Sequence, residues 1–545
     1  MKKIFLRLMA LVLACVMLTG CAELYQFVGE AGANVEEQAL DVTRYADMAY
    51  SRPDMQALED ILDQACADAA GDKVLTIIDR IWEFYDAYDW FYTNYSLADI
   101  RYSCDLTDTY WEEEYNFCSE NSARVDAMLE ELYYALAKSP CLEILESEMY
   151  FGEGYFDSYQ GENNWDEAFV ALMEEEAALV SRYYGLSGQA GDYETGSEAY
   201  YDACYEDMAQ VLVDLIRLRH EIAEYWGYPD YNQFATDFYH YRDYSVEEGR
   251  AYLEMIREEL VEIYRQMNQS GIWDNAYSYA TAADTYAYVK KMAENMGGTV
   301  WEAFLVMDQG GLYDIGYSAN KYNASFETYL TSYQVPFVFM NPSQTNYDYL
   351  VFAHEFGHFC NDYASSYSYA GVDVLEFFSQ GMEYLSLCYG ENATQLTKMK
   401  LADSLCLYIE QAAFASFEMR MYDIPEEKLS VEALAELYEQ VVLEYGFETV
   451  GYDPREFITI THFYTNPLYI ISYVVSNDAA MQLYQLEQEN PGAGLKIFQD
   501  NLTTEESFFL SFLKSAGLEN PLTRERVQAV RKTFEEVLGY AKKSA

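Results

Sequence analysis

The sequence predicts a mainly helical protein with a small β-sheet beside one central helix. Three observations predict it. Apolar residues recur at helical spacing through most of the 545 residues. Only ten prolines occur, mostly at segment boundaries such as Pro140, Pro229 and Pro425. Strand-like runs are confined to a short region just before residue 350.

The chain opens with a targeting pattern. Lys2, Lys3 and Arg7 precede a short apolar run, Leu8 to Leu18, too short for an ordinary membrane span. It ends in Leu18-Thr19-Gly20-Cys21, which resembles a bacterial lipobox. The expectation is a lipoprotein signal over residues 1–20, with Cys21 lipidated as the first mature residue and a tether over 21–34. Two acyl chains on Cys21 suffice for stable attachment at the bacterial cell surface. No later stretch is long and apolar enough to span a bilayer, so any membrane contact runs through that anchor.

Eight cysteines remain in the mature chain, too few in this length for a disulfide scaffold, and their pairing is not legible. The net charge of −59 excludes nucleic-acid binding through a basic face and leaves basic peptides as attractable partners. An apolar content of 51% and 55 tyrosines exclude a disordered acidic chain.

Residues 35–200 read as an N-terminal helical region. A helix opens at Pro53 and runs to about Ala70. The next, from Asp72 to about Asn94, carries Val74, Ile77, Ile78, Ile81, Phe84, Tyr85 and Tyr88 at helical spacing. Similar patterns cover about 107–137 and 164–186, around a Gly/Tyr-rich loop, Tyr150 to Asn163. Residues 201–545 read as a catalytic region. A long helix over about 196–226 stops at Gly227 and Pro229. Another over Val246 to Asn268 starts at Ser245 with Glu248 three residues on, a capping-box pattern. Strands are expected over Gly311 to Ile315 and Gln334 to Met340, the second at a sheet edge because of Pro336. Helices follow at about 371–389, 392–421, 429–445, 467–488 and 522–540.

The central helix carries the chemistry. Val351-Phe-Ala-His-Glu-Phe-Gly-His-Phe359 contains His354, Glu355 and His358 in an H-E-x-x-H pattern, in a chain with five histidines. Four residues is just over one turn, so both imidazoles share a face and can hold one zinc ion per chain. Glu355 sits beside them as the candidate general base. A third ligand is required. The metzincin position, six residues past the second His, is Ala364, which excludes that class. A downstream carboxylate is the alternative. Glu376 and Glu383 lie two turns apart on one helix face, with Gln380 between them. Glu376 is the candidate ligand and Glu383 the group orienting a ligand His, with Asp373 and Glu383 as alternative ligands. Cys360, half a turn from His358, reads as core.

His354-Glu-Phe-Gly-His358 and Asp373…Glu376…Ser379-Gln380…Glu383 resemble the signature of the thimet oligopeptidase and oligoendopeptidase F family of zinc metallopeptidases. Leu218 to Tyr228, Gln334 to Met340 and His462 to Tyr473 resemble further family segments, so the likeness spans roughly 200–540. Asn361 stands where many members carry another His, Phe378 replaces the Pro before Ser-Gln, and the loop after His358 is short. The resemblance implies a large helical zincin-type fold with a deep substrate channel, oligopeptide substrates and internal cleavage. It also implies that His462 and Tyr473, with Tyr469, stabilise the oxyanion of the transition state. The remaining histidines, His220 and His240, read as structural. Two other functions compete: a noncatalytic surface lipoprotein that captures peptide or zinc, which has no need of Glu355, and a metallocarboxypeptidase, which releases single C-terminal residues.

Overall fold

A computed structural model describes residues 42–161, 166–189, 193–273, 276–366, 370–391, 393–504 and 506–540. The signal, Cys21 and the tether lie outside the described residues. The chain divides into two compact units.

One unit takes in residues up to Tyr102, Thr109–Ala171 and Thr331–Tyr333. Its main elements are α1 (Met55–Ala69), α2 (Val74–Cys104) and α3 (Thr109–Ala137). Asp54 caps α1 by accepting from the Ala57 N–H. The apolar faces read from the sequence meet in one core of Leu58, Leu62, Ile81, Phe84, Leu132 and Leu136, closed by Phe156 from the Gly/Tyr-rich loop. Thr93 on α2 also bonds both the backbone N–H and the hydroxyl of Ser332.

The second unit holds the rest. Helices α4 (Glu167–Gln189), α5 (Glu198–Tyr225) and α6 (Val246–Asn268) lead into it. Both halves of the Ser245–Glu248 capping box are formed at α6. Two helices the sequence reading missed follow, α7 (Ala282–Met296) and α8 (Gly298–Gly310). A signal was present: Thr281 and Asp284 form a second capping box.

A three-stranded sheet comes next, β1 (Tyr313–Asp314), β2 (Ser325–Leu330) and β3 (Val335–Met340), in the order β1-β3-β2. β1 runs parallel to β3 and β2 antiparallel to it. This corrects the expectation for Pro336: β3 is the middle strand, fully buried, and the unpredicted β2 is an edge. The reason is local. The Val338 N–H donates toward β1, to the Leu312 carbonyl. Pro336, two residues earlier, faces the same side. β1 pairs only with Val338 and Phe339, so the N–H that proline lacks faces no strand.

The sheet packs on α9 (Asp348–Ser365), which packs against α10 (Val372–Tyr389). α10 in turn lies along α13 (Ile470–Glu489), reached through α11 (Ala393–Met421) and α12 (Val431–Glu444). Short helices α14 (Ala493–Asn501) and α15 (Phe509–Ala516) and the terminal α16 (Arg524–Leu538) complete the unit. None of the helices among the described residues is long and apolar enough to cross a membrane. All eight cysteines from Cys66 to Cys406 are free thiols, and Cys360 is buried, as read.

Candidate active site

Three consecutive layers, α9, α10 and α13, build the site. α9 is anchored at its start by Asp348, which accepts from the backbone and hydroxyl of Ser343 and from the Thr345 N–H. One turn of helix sets the His354 and His358 ring centroids 5.2 Å apart. α10 crosses α9 at Gly357. A Cβ there would stand 2.5 Å from the Phe378 carbonyl oxygen and 2.7 Å from the Ser379 Cα. The glycine is what lets the two backbones approach this closely.

That approach brings Glu376 to the histidine pair. Its carboxylate oxygens lie 3.7 Å from His354 Nε2 and 4.0 Å from His358 Nε2. One ligand atom from each of the three falls within 4.8 Å of the others. Donors about 2.0–2.2 Å from a tetrahedral zinc stand roughly 3.4 Å apart, so a small contraction closes this set on one ion. Two imidazoles and a carboxylate are donors zinc accepts. The residues therefore fit the metal the sequence implies. Glu383 lies one layer back: its Oε1 is 2.9 Å from His354 Nδ1. That contact turns His354 Nε2 toward Glu376.

Burial sets the charges. It opposes ionisation of Glu376, but the two imidazoles and the hydroxyls of Tyr469 and Ser379 outweigh it and hold the carboxyl below its ordinary value. Glu355 is 7% exposed and hydrogen-bonds none of these groups. Burial pushes its carboxyl up to about 7, aided by the charges of Glu376 and Glu383 and opposed by His354. A carboxyl in that range can both take and return a proton near neutrality. Burial lowers His358 to about 4. Burial also works against charge on His354, but the Glu383 hydrogen bond and the neighbouring carboxylates raise it to about 9.

The segment read from the downstream resemblance closes the site. The rings of His462, Tyr469 and Tyr473 lie 5.2–5.7 Å from one another. His462 Nε2 and the Tyr473 hydroxyl are 3.1 Å apart. Burial lowers His462, so it is held neutral. Tyr469 does something else: its hydroxyl donates to Glu376 Oε1 at 2.6 Å. It holds the carboxylate rather than pointing free. Gln380 joins the layers, donating to the Tyr473 carbonyl.

Asp373 does not join the histidines. It accepts from the Tyr244 hydroxyl at 2.9 Å and lies 3.5 Å from Arg242 Nε. Arg242 in turn donates to the Leu468 carbonyl and the Ser472 hydroxyl. Asp373 thus supports the backbone before Tyr469, and its role as a ligand is withdrawn.

Sequence reading missed the frame of that segment. Arg219, fully buried on α5, donates to the carbonyls of Phe463 and Tyr464 and pairs with Glu176. Glu418 accepts from the Leu468 N–H at 2.7 Å, and His240 Nε2 lies 2.8 Å from the Pro467 carbonyl. These contacts hold Leu468 at φ +59°. No local signal marks Arg219: its stretch, Val-Asp-Leu-Ile-Arg-Leu-Arg219, carries three charges, and only the tertiary contacts single out the buried one.

Comparison with known proteins agrees with this architecture. Residues 45–164 match the family model described as the Peptidase M3 N-terminal domain. No curated protein matches the sequence. Among solved structures, PZ peptidase A in complex with an inhibitor superposes with a TM-score of 0.79 at 20% identity, covering 91% of this chain and 99% of that one. Oligoendopeptidase F from Enterococcus faecium superposes with a TM-score of 0.56 at 15% identity, covering 89% and 97%. The family resemblance read over roughly 200–540 thus gains a sequence match outside that span, over residues 45–164, and agreement in fold over nine-tenths of the chain.

Proposed function

We propose that this protein is a zinc-dependent endopeptidase that hydrolyses oligopeptides at the bacterial cell surface. One observation carries the reading: His354, His358 and Glu376 converge to within 4.8 Å beside a buried Glu355. Agreement in fold with PZ peptidase A and oligoendopeptidase F supports the substrate class.

His354, His358 and Glu376 would hold a zinc ion, which when bound would supply Lewis acidity for the scissile carbonyl and the attacking water. Glu355 accepts the proton from the attacking water and delivers it to the leaving amine nitrogen. Tyr473, braced by His462 at 3.1 Å, donates to the carbonyl oxygen as negative charge develops there. A neutral His462 suits this, because it brings no charge that must be desolvated. Tyr469 holds Glu376 in place. Export through the 1–20 signal and lipidation at Cys21 place this chemistry outside the cell, on peptides rather than on nucleic acid.

The test is a panel of quenched-fluorescence peptides with the purified mature protein, with and without chelator and with Glu355→Gln. Internal cleavage that needs zinc, and that the variant loses while keeping its zinc, is expected. Equal cleavage by wild type and variant would remove Glu355 from its role. Release of single C-terminal residues would make the protein a carboxypeptidase. The anchor is tested separately: Cys21→Ser should release the protein into the medium.

A further inference from the structure

Lys400 is a cation where the fold has no evident use for one. It sits in the Met399-Lys400-Leu401 run of α11, and its side chain is 1% exposed. Its Nζ lies 2.7 Å from Glu383 Oε2 and 5.0 Å from the centroid of the Tyr384 ring. A buried ammonium is costly, and a hydrophobic residue of similar volume at such a position is often at least as stable. Packing alone therefore does not explain the choice.

The geometry downstream of Lys400 does. The two oxygens of Glu383 are divided between two partners. Oε2 takes Lys400, and Oε1 faces His354 Nδ1 at 2.9 Å. A carboxylate fixed at Oε2 has one orientation for Oε1, and in that orientation it faces Nδ1. Nδ1 is then held on Glu383, and Nε2 faces Glu376 and the metal position. Three carboxylates, Glu355, Glu376 and Glu383, are buried together here. Lys400 is the lysine that offsets their charge from behind.

We propose that Lys400 is a positioning residue for the metal site, acting through Glu383 to hold the His354 ring with Nε2 directed at the metal position. The inference rests on the zinc-site reading above. It extends the chain of control to a residue on a third helix that touches neither the metal position nor any ligand.

The experiment measures zinc affinity directly, by competition with a chromophoric chelator on the full mature protein. Four forms are compared: wild type, Lys400→Met, Glu383→Gln and the double variant. Lys400→Met is expected to bind zinc about 10–100-fold more weakly, the range for loss of a ligand's supporting partner. In the Glu383→Gln background the same change should weaken binding less than about threefold, because the path it acts through is already broken. A lysine that only stabilised the fold would instead add its loss in both backgrounds, and that additive result would overturn the proposal. So would an affinity for Lys400→Met within about threefold of wild type. Should Lys400→Met not fold, Lys400→Arg decides. Its longer planar head cannot keep the same contact in a closed site, so a loss confined to the Glu383 background is expected, and no loss overturns the proposal. A wild-type protein that binds no zinc would sink the site reading itself, an outcome distinct from all of these.

Discussion

Gly357→Ala tests the packing on which the site depends. The added Cβ would meet the Phe378 carbonyl oxygen at 2.5 Å, the Ser379 Cα at 2.7 Å and the Met382 Cβ at 3.0 Å. Two of the three are backbone atoms, so no side-chain rotation relieves them. To restore an ordinary contact of about 3.4 Å, α10 must retreat from α9 by roughly 0.9 Å at this point. Two energies compete. Alanine favours the helix over glycine by about 1 kcal/mol, while overpacking of a close contact costs about 1–3 kcal/mol. The net expectation is a modest loss of stability, about 0–2 kcal/mol. The effect on the site is larger. Glu376 lies less than one turn before Phe378 and moves with it, and a metal site tolerates only about 0.2 Å in its distances. Zinc affinity should fall at least about tenfold, about 1.4 kcal/mol. The assay pairs thermal melting of the metal-free protein with chelator competition for zinc. A variant that melts at or above wild type and binds zinc equally well would refute the argument, because the two helices would then not be in the contact that gathers the ligands.

Other substitutions separate the roles of the neighbouring groups. Tyr473→Phe removes the hydroxyl assigned to the carbonyl oxygen and should lower kcat about 10²–10³-fold with little change in KM, measured on one fluorogenic peptide. Tyr469→Phe removes the 2.6 Å hydrogen bond to Glu376 instead, so its main effect should be on zinc affinity, weaker by about 3–10-fold in the chelator assay. Arg219→Met leaves Glu176 and the carbonyls of Phe463 and Tyr464 without their donor; a loss of about 3–5 kcal/mol is expected in denaturant unfolding. Burial pushes the Glu418 carboxyl up to about 8, against the lowering effects of the Leu468 N–H, Arg219 and Arg242. A raised acid binds its proton more tightly in the folded state, so its stabilising contribution is whole below about pH 4.5 and lost as pH rises through about 8. Glu418→Gln should flatten the decline in melting temperature across that window, and an unchanged slope would contradict the assignment.

The helical periods made half of the site legible. His354 and His358, four apart, and Glu376 and Glu383, seven apart, each share a face on any regular helix, whatever surrounds it. What the spacing left open was which acid meets the histidines, because that depends on the register between two helices. The register is set where Gly357 meets the backbone at Phe378 and Ser379, a contact no single-helix pattern contains. The same limit explains the misplaced edge strand. Pro336 does signal a missing partner on one side, but the side is decided by β1, a two-residue strand too short to show alternation. Local rules likewise gave no reason to notice Arg219, Arg242, Glu418 or Lys400. Each is a buried charge explained only by a partner dozens to hundreds of positions away or, for Lys400, by one on the neighbouring helix. The charges within the core thus mark the places where tertiary contacts override helical patterning. Here they gather around the two segments that present His354 and Tyr473. A buried charge in an amphipathic helix is for that reason a pointer to the site in its own right, provided one asks which backbone or ligand it holds rather than which face it spoils.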